Sequence, residues 1–316
     1  MKNINKLFFG IITLWAILAT IFGFYDLTIS KYATTYKDLQ IFEFGNDYGN
    51  HFDEPLLYVS ITILLGSIFN DIKMQRKVGF LMILYSFVYL QYISLISNES
   101  EIFISNLIII FQITFFLLTY NKNWRNYVPI AISMILLYFF TNVIVHIMKI
   151  QWGRVRYTDL SSESEFTAWY VINGPDTANS SFPSSHTASA FTFLPILIML
   201  NSKKMSNKLK IILVLSVVGF GFYVALGRVV VGKHYASNVL FSAGLCAILT
   251  VGFYKLFSTL DLNNKVNNIN PMNKLPEVVY SDLTNQWLGC YYNQRGRKFW
   301  KWFNSYDEAI NYTPTI

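Results

Sequence analysis

Charge is scarce in this chain: 14% of its 316 residues are Asp, Glu, Lys or Arg, while 53% are hydrophobic and 17% aromatic. A soluble protein carries about a quarter of its residues as charge, so a water-exposed globule is excluded and a bilayer becomes the expected solvent. Cysteine is nearly absent. Cys246 lies inside the last apolar run and Cys290 beyond it, so no disulfide framework is implied, and both read as small hydrophobes. An internal repeat and a glycine-rich nucleotide loop are also lacking, which sets aside the repeat and nucleotide-binding classes. Around His51 no second metal-type residue stands at ligand spacing, so His51 reads as a surface residue, and no metal or cofactor is expected.

What the chain has in abundance is apolar runs. They cover about Leu7–Tyr25, Leu56–Phe69, Gly79–Ile96, Ile102–Tyr120, Tyr127–Met148, Ser184–Leu200, Ile211–Leu226 and Val239–Phe257. A crossing needs about 17 to 25 residues, which the second run barely approaches. No small-residue cleavage site follows the first run, so it reads as a retained anchor. The expectation is an all-α, multi-pass transmembrane helix bundle of about eight spans. With the N-terminus cytoplasmic, eleven Lys and Arg fall in the inside segments before the tail and seven outside, and both termini lie inside. Five of the outside seven sit in two loops, Lys149–Arg156 and Arg228–Lys233, where the orientation rule disfavours them. The net charge of +7 is therefore mostly topology, and no nucleic-acid partner is inferred.

After Phe257 a polar stretch, 258–276, reads as a linker. Residues 277–316 read as a small cytoplasmic tail module: two aromatic strands about a turn at Gln294–Gly296, then a helical turn. Its basic run "RGRKFWKW" reads as a solvated hairpin face. The aromatics of the 149–182 loop read as interfacial anchors, Arg154 and Lys233 as headgroup anchors, and His146 as a packing residue of its helix.

Three polar clusters fall at predicted outer span ends: "KIQWGRVRY" from Lys149, "FPSSH" from Phe182 and "GRVVVGKHYASN" from Gly227. Together they offer the cations Lys149, Arg156 and Arg228, the donors Ser184 and Ser185, and the histidines His186 and His234. Pro183 followed by Ser-Ser-His marks a helix start with a serine cap, where orphan amides and the helix dipole favour an anion. His234 and Asn238 stand four apart. On a helix they share a face, with Asn238 accepting a hydrogen bond from one ring nitrogen while the other attacks phosphorus. His186 then protonates the leaving oxygen, and the cations neutralise the phosphoryl oxygens.

These clusters resemble the signature of the type-2 phosphatidic acid phosphatase superfamily: Lys, six residues, Arg-Pro; then Pro-Ser-Gly-His; then Ser-Arg, five residues, His, three residues, Asp. Lys149, Arg156, Pro183, Ser184, His186, Arg228 and His234 match in order and spacing. The resemblance implies a six-helix phosphatase core within a transmembrane domain of 1–257, the signature-bearing part covering about 127–257. It implies metal-independent dephosphorylation of a lipid phosphate, with His234 as nucleophile and His186 as general acid. Lys149, Arg156, Ser184, Ser185 and Arg228 are then the phosphate contacts. Undecaprenyl diphosphate is the expected substrate, with phosphatidylglycerol phosphate and phosphatidic acid next, handled at a site facing outward from the cell membrane.

Tyr157, Ser185, Gly227 and Asn238 depart from the pattern. The last matters most, because an amide accepts a hydrogen bond but cannot stabilise a positive imidazole. Three readings stay open: a weaker orienter suffices, another acid such as Asp159 or Asp176 supplies the charge, or the chain is a catalytically impaired lipid-binding protein. A lipid-linked phosphotransferase is the nearest enzymatic rival.

Overall fold

The computed structural model describes residues 2–96, 99–175, 179–201, 205–259, 277–281, 284–292 and 298–312. Its first helix, α1 (Lys2–Ala33), is followed by a loop segment holding α2 (Glu43–Tyr48) and then α3 (Asp53–Ser67). Next come α4 (Ile72–Ile96), α5 (Glu99–Leu118) and α6 (Val128–Trp152), the short α7 (Ser185–Phe191), and the paired α8 (Asn207–Val230) and α9 (Ala236–Thr259).

Among the described residues, six helices are long and apolar enough to cross a membrane: α1, α4, α5, α6, α8 and α9. The bundle is thus all-α, with fewer long spans than the eight apolar runs suggest. Two runs form shorter pieces. That from Leu56 gives the 15-residue α3, and that from Ser184 breaks after Phe191 into the 3₁₀ stretch Leu194–Asn201. Pro195 sits at that break; it has no N–H to offer the preceding turn, and its ring clashes with the carbonyl four residues back.

The polarity of the bundle is reversed relative to a water-soluble one. Large apolar side chains such as Leu14, Phe24, Phe80, Leu117, Phe139 and Phe222 point outward and are exposed, while Ser60, Thr62, Gln75, Gln112, Ser133 and Thr141 are buried between helices. With no water to satisfy backbone and side chains, buried polar groups pair internally. Gln75 shows how: its amide donates to the Phe69 carbonyl at 2.9 Å and to Asn123 Oδ1 at 3.1 Å, and its oxygen accepts from Trp124 N at 3.0 Å.

α1 lies along α9, while α3 packs against α5 and α6, and α7 is wedged between α8 and α9. The main apolar core joins Leu137 and Val145 of α6, Ala188 and Phe191 of α7, Val217 of α8 and Cys246 of α9. This brings the C-terminal ends of α6 and α8 together with the N-terminal ends of α7 and α9 at one end of the bundle.

The tail is a three-stranded antiparallel sheet, β1 (Glu277–Ser281), β2 (Gln286–Tyr292) and β3 (Lys298–Phe303), with α10 (Tyr306–Asn311) against it. Trp287 pairs with Phe303 across β2 and β3, and Phe303 packs with Ala309 beneath Val278, Trp287 and Tyr312. The strand β1 was not foreseen, because "EVVYS" is too short and borders a polar stretch. The expected turn and most of the linker lie outside the described residues.

Candidate active site

α6 ends at Gly153, whose left-handed conformation (φ 50°) closes the helix as a glycine readily does. Lys149, one turn earlier, reaches sideways and donates to the Ser180 carbonyl at 2.9 Å. Arg156, in the loop beyond, stands within electrostatic reach of both Lys149 and Arg228. Arg228 is itself buried near the end of α8. Its Nη1 donates to both oxygens of Asn46, backbone and side chain, and its Nε is buried with no partner among the described residues.

α8 is followed by a tight turn through Gly232. At φ +71° only glycine is comfortable, and an added Cβ would come within 2.8 Å of Thr158 Cγ2. The turn presents His234, whose backbone N–H bonds the Arg228 carbonyl at 3.1 Å. The side chain is 2% exposed, and its Nδ1 lies 2.6 Å from the Ser181 carbonyl. A carbonyl only accepts, so Nδ1 carries the proton and Nε2 keeps its lone pair. Burial first, then the positive charges of Arg228 and Lys149, push His234 well below the usual histidine range. It is therefore neutral at pH 7 and has a free nitrogen, the form that can act as a nucleophile.

The helix-face pairing expected of His234 and Asn238 does not form, because α9 begins at Ala236 and His234 lies in the turn before it. Asn238 instead donates its amide to the Ser181 carbonyl and to Ser181 Oγ, both at 2.8 Å. The two side chains thus meet on the same carbonyl rather than on each other. The headgroup role expected of Arg154 is also overturned. Arg154 is fully buried and forms an ion pair with Asp26 of α1 at 2.9 Å, so the guanidinium is held inside the fold, away from any headgroup.

Ser184 is the N-cap of α7, as expected. Its Oγ accepts from Thr187 N at 3.4 Å and from Thr187 Oγ1 at 3.0 Å, and its backbone N–H donates to the Asn238 carbonyl at 3.3 Å. Ser185 opens the helix and is half-buried. His186 follows, its Nε2 3.0 Å from the Asn46 carbonyl, so this ring carries its proton on Nε2, the reverse of His234. Asp159 is exposed and bonds Thr158, while Asp176 lies outside the described residues. His146 is exposed on α6, and His51 pairs with Glu54 at 3.0 Å. Among the loop aromatics Tyr170 is exposed, while Trp169 turns inward: it donates to the Ala19 carbonyl of α1 at 2.8 Å, and its ring packs on Phe241 of α9.

The eight residues singled out by pattern therefore gather at one end of the bundle. A family model described as PAP2 superfamily matches residues 126–261. This segment belongs to the PAP2 superfamily. Neither a curated protein nor a solved structure matches the chain. The PAP2 segment holds every one of the eight residues, and the family points to a phosphatase-type activity.

Four contributors escaped the pattern reading: Asn46, Ser181, Asp26 and Arg154. Asp26 gave one signal, a lone acid at the end of an apolar run, which in a membrane protein is a functional candidate by default. Asn46 gave none, since its role comes from α2 folding back over α7 and α8. Gly49 permits this close approach: a Cβ there would come within 2.9 Å of Val224 and 3.4 Å of His186. Asn46 thus places two oxygens where Arg228 and His186 would meet an anion. Asn46→Ala removes one of them, and KM for a phosphorylated substrate is expected to fall about threefold to tenfold with kcat little changed, the worth of one hydrogen bond. Steady-state kinetics would check this.

Proposed function

We propose that the protein is a membrane lipid phosphatase that removes a phosphate or diphosphate from a lipid through a phosphohistidine on His234. The observation that carries the reading is the state of His234: a neutral imidazole with its Nδ1 proton held by Ser181 and its Nε2 free, within reach of Lys149 and Arg228. Nε2 attacks phosphorus, and the phosphorus–oxygen bond to the lipid breaks. Substrate displaces Asn46 from His186, its phosphate charge favours the doubly protonated ring, and the leaving oxygen takes the Nε2 proton of that imidazolium, which returns to neutral imidazole. Water then attacks the phosphohistidine with His186 as base, releasing phosphate and restoring the free ring. Lys149, Arg156 and Arg228 neutralise the phosphoryl oxygens during transfer, with Ser184 and Ser185 as further phosphate contacts.

A lipid substrate is supported by an apolar groove of about 480 Å³ between α1, α8 and α9, lined by Ile29, Phe222, Val229, Ala236 and Leu240 among others. Its upper end adjoins the site, for Val229 follows Arg228 and Ala236 lies two residues past His234. Undecaprenyl diphosphate is the substrate we favour, with phosphatidylglycerol phosphate and phosphatidic acid next, and the site opens to the outer face of the cell membrane.

The test is phosphate release by purified protein from a panel of lipid phosphates and diphosphates, with no acceptor alcohol added and with EDTA present. Turnover is expected to be unchanged by EDTA to within about twofold, because fixed cations do the work that a metal does elsewhere. Loss on chelation refutes the metal-free scheme, and release only with an added acceptor identifies a phosphotransferase.

A further inference from the structure

The geometry points to the buried Asp26–Arg154 pair as a positioning device for His234: it fixes the Asn238 carboxamide, and through it the Ser181 carbonyl that holds the Nδ1 proton. The inference rests on the phosphatase reading and extends it to residues outside the signature, one of them on α1. Every nitrogen of the Arg154 guanidinium has a partner. Its Nε donates to the Thr167 carbonyl at 2.9 Å, its Nη1 to Asn238 Oδ1 at 2.5 Å and Ser237 Oγ at 2.8 Å, and its Nη2 to Asp26 Oδ2 at 2.9 Å. The Tyr235 ring lies over it, 4.0 Å from the guanidinium carbon. Asp26 is 1% exposed, accepts from Ser237 N at 2.9 Å and from Ser237 Oγ, and so also caps the start of α9.

Because Arg154 only donates, the oxygen of Asn238 must face it, and the amide nitrogen must face Ser181. This fixes an otherwise ambiguous carboxamide. It also fixes the Ser181 carbonyl, which receives the Asn238 amide and His234 Nδ1 together. As phosphorus bonds to Nε2 the ring gains positive charge, and the Ser181 carbonyl, held in place by Asn238, opposes that charge. The Asp26 carboxylate balances Arg154, so the whole chain is neutral at rest. Aspartate at 238 would place two carboxylates on one guanidinium and turn an acceptor oxygen toward the Ser181 carbonyl. The charge at 26 and the amide at 238 thus belong together.

The test compares Asp26→Asn, Asn238→Asp and the double variant with wild type, each checked for folding by monodispersity and thermal unfolding in detergent. Each single variant is expected to lose about 100-fold in kcat with KM within about threefold. The double variant, which moves one carboxylate rather than adding or removing one, is expected to recover to within about tenfold of wild type. A folded single variant with kcat within twofold of wild type overturns the proposal, as does a loss confined to KM. So does a folded double variant no more active than the singles. Where the singles fail to fold, the double decides: kcat within tenfold of wild type supports the relay, and a lower value or a failure to fold overturns it. The ¹⁵N spectrum of histidine-labelled protein, with His234 assigned by His234→Gln, reads the tautomer without turnover. An inert wild type refutes the phosphatase reading, yet a single Nδ1–H form that becomes a mixture in folded Asp26→Asn and is restored in the double variant still supports the relay. An unchanged tautomer in Asp26→Asn, or a mixture in the double variant, overturns it.

Discussion

Replacing His234 by alanine is expected to lower phosphate release by on the order of 10⁴-fold or more, since removing a covalent nucleophile abolishes the pathway rather than weakening one step. Ser181 and Asn238 remain bonded to each other after the change, so the fold around the site survives. The same substitution should abolish a base-stable, acid-labile phosphoprotein trapped from wild type during turnover. His186→Ala separates the two histidines. It should lose far less with a substrate whose leaving group needs no proton, such as an aryl phosphate, than with a lipid alcohol, because only the second requires protonation. His234→Ala should lose equally with both. Retention of more than about 1% of wild-type turnover in His234→Ala would remove the nucleophile assignment.

How much of this was legible in the sequence follows from how each interaction is encoded. The apolar runs announce membrane helices because the bilayer tolerates little else, and eight spaced residues marked one candidate site because their spacing brings them to neighbouring helix ends. Local encoding was less reliable where a helix failed to continue: His234 and Asn238 are correctly spaced for one helical face, but the turn through Gly232 ends α8 and α9 begins too late. Arg154 was misread for another reason. A lone arginine in an outer loop looks like an anchor until its partner is known, and that partner, Asp26, is 128 residues away on a helix whose only shared signal with it is charge. Asn46 was equally hidden, since α2 meets α8 through backbone placement. Residues acting through tertiary neighbours leave no periodic mark.

The second large effect is expected at Arg228, where charge and geometry can be separated. Arg228→Lys keeps the positive charge yet should lower kcat/KM by roughly 10²- to 10³-fold, the worth of one well-placed donor to a developing oxyanion. The reason lies in the fork. Nη1 serves Asn46 until substrate takes its place, while Nε is buried without a partner among the described residues, a state that costs free energy unless something fills it. A phosphoryl oxygen is the group that fits, and lysine, a point charge on a flexible stem, cannot place donors at both positions. Arg156→Lys provides the contrast. Arg156 is half-buried and has no hydrogen-bond partner among the described residues, so its contribution is mainly field, and lysine should cost about tenfold or less. Increasing ionic strength should weaken the Arg156 contribution more than that of Arg228, because screening acts on exposed charge. Equal losses at the two positions, or a fully active Arg228→Lys, would mean that the site reads charge alone.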